Sequence, residues 1–456
     1  MSLARQPGWI QRSLRFRAKR VLRRAWRATT GITRRLLVRY VAAPPLGRAA
    51  QVDRRVIILL FSAWGMGGTT RTTLNLAGYL AEHYEVEIVS VIRRREAPFF
   101  GEFPPGVKVT ALHDYRPQAV PRGLAGVIAR LLIRLPSVLV HPCERRASEF
   151  NLRSDVRLAR KLRRQSGFLL GTRPGLNLIA AELSPPGMIL VGEEHMHLRH
   201  HHRALRKAMK RLYPRLDVFT VLTEGAKRDY DKHLNGGVPL ARIPNTVRDL
   251  GDRTADLDAK TVLAAGRLVG QKGFDLLIPA FGRVAAAHPD WRLKICGRGS
   301  SRKQLLALIE DHGLGEVVTL APPATDMGYE LERASVFALS SRFEGFPLVL
   351  LEAMSKGTAV VSFDCPTGPA DIVDDHRNGI LVPPEDVDAF AAGLIEMVED
   401  EELRRRCAAA AIDTARTYGM DSIGPLWESL FAELSEARAL SALHDRAALP
   451  TAAALE

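Results

Sequence analysis

Short apolar runs alternate with helical patterns through most of this 456-residue chain. Most of these runs are apolar at a majority of consecutive positions, whereas a strand with one face in water would alternate apolar and polar residues. The predicted strands cover residues 54–61, 85–91, 187–192, 217–222, 260–265, 291–296, 317–320, 336–339 and 359–363. Because such strands are buried on both faces, we predict parallel sheets with helices on either side.

Two series of strands and helices are separated by a polar stretch at residues 248–256. A chain of this length also exceeds one ordinary core. We therefore predict an α/β protein of two Rossmann-like, doubly wound domains that face each other across a cleft. The predicted division is a basic amphipathic extension at 1–50, an N-terminal domain at 51–247, a C-terminal domain at 257–420, a C-terminal helix at 421–437 and a tail at 438–456.

Basic charge is concentrated before residue 248. The first 50 residues hold 13 Lys and Arg and no acidic residue, whereas residues 51–247 have a net charge of +14 and residues 248–456 one of −12. Two apolar groups recur at helical spacing in the extension: Ile10, Leu14, Val21, Leu22 and Trp26, then Ile32, Leu36, Leu37 and Tyr40. A basic helix with tryptophan on its apolar face predicts an anionic membrane surface as partner; a solvated, disordered tail is the alternative.

The composition argues against several other classes of protein. No stretch reaches the roughly 18 apolar residues of a spanning helix, and arginines throughout the N-terminus argue against a secretory leader. Four scattered cysteines, Cys143, Cys296, Cys365 and Cys407, form no disulfide framework and favour a reducing cytoplasm. No nucleic-acid module accompanies the basic charge. We predict a cytoplasmic protein, peripherally associated with the inner face of the membrane, with no nucleic-acid partner.

Two glutamates eight residues apart stand where a predicted strand leads into a helix. A turn containing Gly and Pro follows strand 336–339, and the helix begins near Leu348. Glu344 then lies on a loop at the carboxyl edge of a parallel sheet, and Glu352 lies in the first turns of the helix. Free N–H groups at a helix start attract phosphate, and carboxylates accept hydrogen bonds from sugar hydroxyls. This pattern predicts a nucleotide-sugar site.

Gly-rich loops follow the first strand of each predicted domain. Gly67 and Gly68 lie in the first loop, where glycine lets the backbone approach a ligand closely; an ATPase P-loop is rejected because its Gly-Lys-Ser/Thr ending is missing. The second loop holds Arg267 and Lys272, two cations suited to bind a diphosphate and to take up its charge as it leaves. Gly297, at the end of another strand, is a further candidate contact to the nucleotide.

A histidine-rich stretch follows the predicted strand 187–192. His195 comes directly after Glu193 and Glu194, where it would face an acceptor or the anomeric centre of a sugar; an ordinary surface histidine is the alternative. His197, His200, His201 and His202 raise the question of a metal site. Because three consecutive histidines cannot point one way and no second ligand group has matching spacing, we predict no metal and favour a solvated or membrane-proximal run.

Taken together, these motifs resemble the retaining glycosyltransferases of family 4, which have the GT-B fold. The resemblance covers about residues 55–435 and is most specific at 261–385. It rests above all on Gly-Arg-Leu-Val-Gly-Gln-Lys-Gly from Gly266 and on Ser-Arg-Phe-Glu-Gly-Phe-Pro-x4-Glu from Ser341. The segment from Asp364 to Pro369 is similar to a subgroup acting on cell-envelope polymers and lipid-linked glycans. Pro-rich stretches and basic helices at 95–185, where acceptor recognition would lie, match no subgroup that we can name.

The resemblance implies a donor site in the C-terminal domain. Arg267 and Lys272 would hold the donor diphosphate, Glu352 would bind the ribose hydroxyls, and Glu344 would bind the transferred sugar. The backbone of Gly345, Phe346 and Leu348 would line the phosphate, with Gly67, Gly68 and Gly297 also against the donor. The family works without a metal ion or other cofactor. His195 matches its acceptor-side histidine, so the catalytic candidates are Glu344, His195, Arg267 and Lys272.

The implied reaction transfers a sugar from a nucleotide-diphosphate sugar, UDP-linked rather than GDP-linked, with retained configuration. The implied acceptor is a cell-envelope glycan, a teichoic-acid-like polymer or a lipid-linked glycan. As in the family, the helix at 421–437 would cross back to pack on the first domain. Two alternatives remain: a non-catalytic, membrane-associated module that binds nucleotide-sugars, and a UDP-sugar epimerase of the same fold.

Overall fold

The computed structural model describes residues 30–42, 54–119 and 122–447. In this part of the chain, two α/β units each form one all-parallel sheet with helices packed on both of its faces. The predicted fold class, two Rossmann-like domains facing each other across a cleft, is confirmed. The predicted apolar group between Ile10 and Trp26 lies outside the described residues.

Seven strands form the sheet of the first domain. They are β1 (Arg55–Leu60), β2 (Glu85–Arg93), β3 (Lys108–Asp114), β4 (Gly167–Gly171), β5 (Met188–Glu194), β6 (Val218–Val221) and β7 (Leu240–Arg242). Their order is β3-β2-β1-β4-β5-β6-β7, and every pair is parallel. The order reverses between β1 and β4, and the carboxyl edge at such a point is where doubly wound sheets bind ligands.

Helices cover both faces of this sheet. They are α1 (residues 30–41), α2 (Gly68–Leu80), α3 (Gly123–Arg134), α4 (Leu152–Leu162), α5 (Pro174–Leu183), α6 (Arg203–Leu212) and α7 (Glu224–Leu234). The side chain of Asn151 accepts a hydrogen bond from the Ser154 N–H at 3.0 Å, and the Ser154 hydroxyl bonds back to the Asn151 backbone. This capping box fixes the start of α4 at Leu152.

Helix α1, from the predicted basic extension, packs against the first domain. Val41 is fully buried in the core, Leu37 and Val38 pack beside it, and Arg34 pairs with Glu182 of α5. Part of the extension is therefore an integral layer of this domain.

Six strands form the sheet of the second domain. They are β8 (Thr261–Ala265), β9 (Arg292–Cys296), β10 (Val318–Ala321), β11 (Val336–Leu339), β12 (Ala359–Phe363) and β13 (Ile380–Val382), in the order β10-β9-β8-β11-β12-β13. Its helices are α8 (Phe274–Ala287), α9 (Arg302–Asp311), α10 (Met327–Glu332), α11 (Leu348–Ser355), α12 (Pro369–Ile372), α13 (Val387–Glu399), α14 (Glu401–Arg416) and α15 (Met420–Ala447). Every pair of neighbouring strands is again parallel.

Two segments tie the second domain to the first. Helix α15 places Trp427 and Phe431 in the core of the first domain, where the Phe431 ring stacks on Phe168 with centroids 4.1 Å apart. The connection between β7 and β8 packs on the second domain instead. There the fully buried Lys356 donates to the carbonyls of Leu250 and Gly251, both at 3.1 Å.

Candidate functional site

A cleft between the two domains encloses about 920 Å³, a volume typical of small-molecule sites. Both domains contribute walls, so neither domain contains the whole site. The predicted residues that line it are Gly68, His195, Arg267, Glu344, Gly345, Phe346 and Leu348. Of the other predicted residues, Gly67 adjoins Gly68 in sequence and Lys272 contacts Glu344. Gly297 and Glu352 lie behind the lining, because Gly297 packs against Gly266 and Glu352 lies one helical turn beyond Leu348. The structure therefore brings nine of the eleven candidates to the cleft and places the other two behind its wall.

The buried pair of Lys272 and Glu344 occupies the second-domain wall. The Lys272 Nζ donates to Glu344 Oε1 at 2.6 Å, and the Ser341 hydroxyl donates to the same oxygen at 2.6 Å. Gly273 forms the turn beside this lysine with φ +62°, and a Cβ there would lie 1.9 Å from the Ser340 carbonyl oxygen. Only glycine fits this turn. The motif therefore positions an ammonium and a carboxylate together behind the cleft surface.

Arg267 is the exposed cation on the same wall. Its Nη2 donates to Gln271 Oε1 at 3.0 Å, and Gln271 Nε2 donates in turn to the Phe343 carbonyl at 3.1 Å. Gly297 lies directly behind this loop, because a Cβ at that position would lie 2.0 Å from the Gly266 carbonyl oxygen. Arg267 thus keeps several guanidinium donors available to a ligand in the cleft.

Helix α11 begins at the cleft wall. It starts at Leu348 after Pro347, with no side-chain cap and no acidic residue in its first turn. Uncapped N–H groups at a helix start favour an anion. The first-domain loop comes close here, since a Cβ on Gly68 would lie 3.7 Å from Leu348 Cδ1. An anion at this helix start would therefore lie between the two domains.

Glu352 lies one turn further along α11 and is nearly buried. Arg248 Nε donates to its Oε1 at 2.7 Å. Burial raises the pKa of Glu352, and the positive charges of Arg248 and Arg71 oppose that rise. Arg71 comes from α2 of the first domain; its own pKa is lowered by burial and by Arg248. The sequence interpretation missed both arginines, although Arg71 stands close behind the Gly-rich loop.

Glu194 is a buried anchor at the end of β5. Its Oε1 accepts the backbone N–H groups of His195 and Met196, each at 3.0 Å, and its Oε2 accepts the Tyr230 hydroxyl at 3.1 Å and lies 3.0 Å from His201 Nε2. Burial alone would raise the pKa of Glu194, but the neighbouring His201 and these hydrogen bonds lower it. Glu194 therefore fixes the backbone that presents His195.

His195 lies in the cleft with both ring nitrogens free of hydrogen-bond partners. Its Nε2 lies 3.2 Å from Glu193 Oε2 but is not aligned for a hydrogen bond. Burial disfavours the imidazolium, yet Glu193 and Glu194 more than offset it and raise the pKa of His195. Because its side chain is only 7% exposed, His195 is not an ordinary surface histidine.

Strand β5 continues further than predicted. The sequence interpretation ended the strand before Glu193, whereas the structure extends β5 through Glu194. Adjacent strand residues point to opposite faces of a sheet. This alternation sends Glu194 toward Tyr230 and leaves Glu193 beside His195.

The remaining histidines diverge to different partners. His197 Nε2 lies 2.8 Å from Asp229 Oδ2, the His200 ring lies 3.9 Å from that of Phe343, and His201 pairs with Glu194. Within the described residues, no group of three or more His, Cys, Asp or Glu side chains is placed to hold a metal ion. The histidine run instead fixes the wall around His195.

Five arginines line the first-domain half of the cleft: Arg94, Arg95, Arg145, Arg146 and Arg173. Glu149 pairs with two of them, Arg94 and Arg146, each at 2.7 Å, and Glu144 pairs with Arg173. The sequence interpretation missed this group because its members come from segments far apart in the chain. In the sequence, each of these arginines taken singly resembles an ordinary solvated surface residue.

Comparison with known proteins agrees with this geometry. Residues 249–414 match the family described as glycosyl transferases group 1. A curated relative, an exopolysaccharide phosphotransferase of Streptomyces coelicolor, is 35% identical over 391 residues, covering 84% of this chain and 41% of that protein. The amylovoran biosynthesis glycosyltransferase AmsD of Erwinia amylovora is 34% identical over 169 residues, covering 37% of this chain and 47% of AmsD. The chain thus spans less than half the length of either relative.

A crystal structure of S. aureus TarM with fondaparinux, alpha-GlcNAc-glycerol and UDP has a similar fold, with a TM-score of 0.66, 16% identity, and coverage of 83% of this chain and 99% of TarM. At this identity the likeness concerns the fold alone. The family match covers the second domain, and the structural neighbour shares the two-domain GT-B fold. Among the described helices, none is both long and apolar enough to cross a membrane.

Proposed function

We propose that this protein is a retaining glycosyltransferase of family 4 that transfers a sugar from a nucleotide-diphosphate sugar, UDP-linked rather than GDP-linked. The observation that carries the proposal is the arrangement around one cleft. Arg267, the Lys272–Glu344 pair and the uncapped start of α11 face the buried His195 from the opposite domain.

The donor diphosphate would bind to Arg267, Lys272 and the α11 start. A guanidinium, an ammonium and a helix start without a side-chain cap suit two phosphates and stabilise the charge that develops as they leave. Gly67, Gly68, Gly297, Gly345, Phe346 and Leu348 would let the backbone approach the nucleotide. These cations would act in place of a metal ion, and we propose no metal or other cofactor.

Glu344 and Glu352 would bind hydroxyl groups. Glu352, one helical turn beyond the proposed phosphate site, would accept hydrogen bonds from ribose, with Arg248 holding it in place. Glu344 would accept from the transferred sugar, because Lys272 and Ser341 already occupy one of its oxygens and leave the other available.

The proposed reaction proceeds on one face of the sugar. The bond from the anomeric carbon to the leaving phosphate oxygen breaks, the acceptor oxygen bonds to the same carbon, and the leaving phosphate takes the acceptor proton. No second carboxylate with the spacing of a glycosidase pair is then required. Closure of the two domains would exclude water and suppress hydrolysis. His195, with unpartnered ring nitrogens, would orient the acceptor or the sugar.

The acceptor would be a cell-envelope glycan, a teichoic-acid-like polymer or a lipid-linked glycan. Arginines along the first-domain wall suit a phosphate-bearing acceptor, since guanidinium groups bind phosphate in a bidentate manner. The relative from Erwinia amylovora is named for amylovoran biosynthesis, and the TarM structure contains UDP. The first name supports an envelope-polysaccharide acceptor, and the UDP in the TarM structure supports a UDP-linked donor.

One alternative is transfer of a phosphosugar, because the Streptomyces coelicolor relative is named an exopolysaccharide phosphotransferase. The two reactions release different products. Glycosyl transfer breaks the sugar–phosphate bond and releases a nucleoside diphosphate, whereas phosphosugar transfer breaks the diphosphate and releases a nucleoside monophosphate. The Lys272–Glu344 pair favours glycosyl transfer, because it places a carboxylate that can accept a hydrogen bond from a sugar hydroxyl beside the proposed phosphate site.

Incubation with UDP- and GDP-sugars and a phosphate-bearing polymer acceptor, followed by chromatography of the nucleotide products, tests the proposal. We expect UDP and a glycosylated acceptor whose linkage has the anomeric configuration of the donor. UMP would support phosphosugar transfer, an isomerised donor would support an epimerase, and nucleotide binding without turnover would support a non-catalytic module.

We also propose peripheral attachment to the anionic inner face of the membrane, in the cytoplasm, through residues 1–50 and the basic first domain. The +14 and −12 net charges before and after residue 248 motivate this. Because α1 is packed into the first domain, the test removes only residues 1–29. Weaker sedimentation with anionic vesicles, and unchanged sedimentation with neutral ones, is expected; equal binding of the intact chain to both vesicle types would contradict it.

A further inference from the structure

Helix α3 has large apolar side chains in solvent and small ones buried. The exposed side chains are Leu124, Val127, Ile128, Leu131 and the following Leu135, with exposed fractions of 77%, 46%, 49%, 56% and 46%. The buried residues of the helix are Gly126 and Ala129. The spacing of the exposed set places it on one side of the helix. We call these five residues the apolar stripe.

This arrangement is the reverse of an ordinary surface helix, which buries its large apolar residues and exposes polar ones. Contiguous exposed apolar patches mark sites of interaction with a partner or a membrane. Every other helix or strand in the described part of the chain has fewer large exposed apolar side chains than α3. Helix α1 has three, Ile32, Leu36 and Tyr40. The apolar stripe is therefore the largest such feature on a single helix.

Basic residues accompany the apolar stripe without any acidic neighbour. Arg122, Arg130 and Arg134 are exposed, and residues 115–143 contain no Asp or Glu. Arg130 and Arg134 are four residues apart and so lie on the same side of α3. A helix with an apolar face bordered by arginines is the pattern of helices that lie in a membrane interface.

The charges of the chain argue against other occupants. Residues 1–29 hold nine Lys and Arg and no acidic residue, so this segment would place further positive charge against the arginines of α3. Two copies joined symmetrically through α3 would bring the same arginines together. An anionic lipid surface complements both the apolar side chains and the positive charge.

We propose that α3 inserts the apolar stripe into the surface of an anionic lipid bilayer, with Arg122, Arg130 and Arg134 on lipid headgroups. The inference rests on the proposed function in one respect only. The proposed transfer to a lipid-linked acceptor gives the chain a reason to meet a membrane. After α3 the chain reaches Glu144, Arg145 and Arg146, which line the cleft. An inserted α3 would hold this wall close to the headgroup of such an acceptor.

Hydrogen bonds hold the connection between α3 and the cleft wall against α4. The Asp155 carboxylate of α4 accepts the Val138 N–H at 2.7 Å and the Ser137 hydroxyl at 2.8 Å. Helix α1 reaches the same region, since the Arg163 guanidinium after α4 lies 4.3 Å from the centroid of the Tyr40 ring. Helices α1 and α3, which carry the larger sets of exposed apolar side chains, are therefore both anchored around α4.

Sedimentation of the full chain with vesicles of phosphatidylglycerol and phosphatidylcholine tests the proposal. The double variant Leu124→Gln/Leu131→Gln should lose vesicle affinity by at least tenfold, because two apolar side chains no longer leave water. Arg130→Gln/Arg134→Gln should lose roughly fivefold for each arginine, and only with anionic vesicles. Leu306→Gln is the matched control, since Leu306 is an exposed leucine on α9 of the second domain; its affinity should not change.

Insertion itself is measured by quenching of tryptophan fluorescence in the variant Ile128→Trp, with lipids brominated on the acyl chain. The brominated vesicles should quench the fluorescence that the new tryptophan adds, whereas they should not quench that added by Leu306→Trp. Equal quenching at both positions, or stripe variants that bind as the intact chain does, would overturn insertion by α3. Loss of a dimer in the Leu124→Gln/Leu131→Gln variant by light scattering would also overturn it, in favour of contact between copies.

Donor turnover with a water-soluble acceptor distinguishes this inference from the proposed function. It should be unchanged in all of these variants, because none of the substituted residues lines the cleft. If the intact chain failed to bind vesicles but turned over the donor normally, only the proposed lipid contact of α3 would be rejected. If the intact chain bound vesicles normally but did not turn over the donor, only the proposed transferase activity would be rejected.

Discussion

The two halves of the cleft are assembled in different ways. In the second domain, two short segments at residues 266–273 and 341–352 supply both cations, both glutamates and the helix start, and each segment follows the end of a strand. In the first domain, the wall combines the loop after β1, residues 92–95, residues 143–149, the start of α5 and the histidine run. The proposed donor site therefore depends on short local motifs, whereas the proposed acceptor wall depends on long-range packing.

The two halves also differ in how their charges are paired. Lys272 and Glu344 form a nearly buried pair on the donor side, held by the Ser341 hydroxyl. On the acceptor side, two arginines share the carboxylate of Glu149 and remain largely exposed. These contacts are consistent with a preorganised donor site and with an acceptor wall that faces solvent and can adapt to its ligand.

The largest expected effect concerns the rigidity of the donor half. Lys356→Met would leave Glu332 and the carbonyls of Leu250 and Gly251 without their buried ammonium partner. We expect the free energy of unfolding to fall by about 3 to 5 kcal/mol, measured by urea denaturation. Lys260→Met, which removes an exposed pair with Asp290, is the control and should cause no resolvable change. Equal losses in both variants would contradict a structural role specific to the buried lysine.

Glu344→Gln tests the chemistry of the donor half. The carboxylate would be lost where we propose that the transferred sugar binds, so we expect kcat to fall roughly 10²- to 10³-fold while affinity for UDP, measured by calorimetry, changes little. The control Glu330→Gln alters a carboxylate paired with Lys294 elsewhere in this domain. Unchanged turnover in Glu344→Gln would be incompatible with the proposed role.

A pair of arginine variants tests whether the halves serve different substrates. Arg267→Ala should raise KM for the nucleotide-sugar about tenfold, and Arg145→Ala should raise KM for a phosphate-bearing acceptor about tenfold, since charged hydrogen bonds contribute about 1.5 to 3 kcal/mol. Steady-state kinetics with each substrate varied in turn measures both. If both variants raised KM for the same substrate, the division between donor and acceptor walls would be wrong.

The smallest expected effect is a dependence of stability on pH at His195. The carboxylate of Glu193 helps to raise the pKa of His195 above the usual 6.5, so the charged pair stabilises the fold most when the histidine is protonated. Relative to Glu193→Gln, the intact protein should melt a few degrees higher below about pH 6.5. This advantage should decline as the pH rises through the raised pKa. An advantage that grew with pH would contradict the sign of this coupling.

Much of the fold and of the donor half could be predicted because local patterns specify them. Continuous apolar runs identified nine of the strands, and Gly273, at φ +62°, occupies a turn that tolerates no Cβ. Four strands were missed, and β4 is the most central of them. Its five residues, Gly167–Gly171, are too short and too rich in glycine to stand out beside Pro-rich segments.

The acceptor wall could be predicted much less well. His195 was identified by its place after β5, but its burial depends on Glu194, Tyr230 and the approach of Gly345 from the other domain. Arg71 and Arg248 meet at Glu352 only after the two domains pack together. The contact of Arg248 with Glu352 and the approach of Gly345 to His195 each join residues more than a hundred positions apart, and no local spacing records them.

The amino-acid sequence alone was enough to establish two parallel-sheet domains, their opposite charge and the strand-to-helix segments that hold Arg267, Lys272, Glu344 and Glu352. These features depend on residue type and on spacing within one supersecondary unit. The pairing of Lys272 with Glu344, the arginine wall and the exposed side of α3 emerged only in the folded chain. Burial and distance between remote segments follow from how whole elements pack, and a linear pattern of residues does not contain that information.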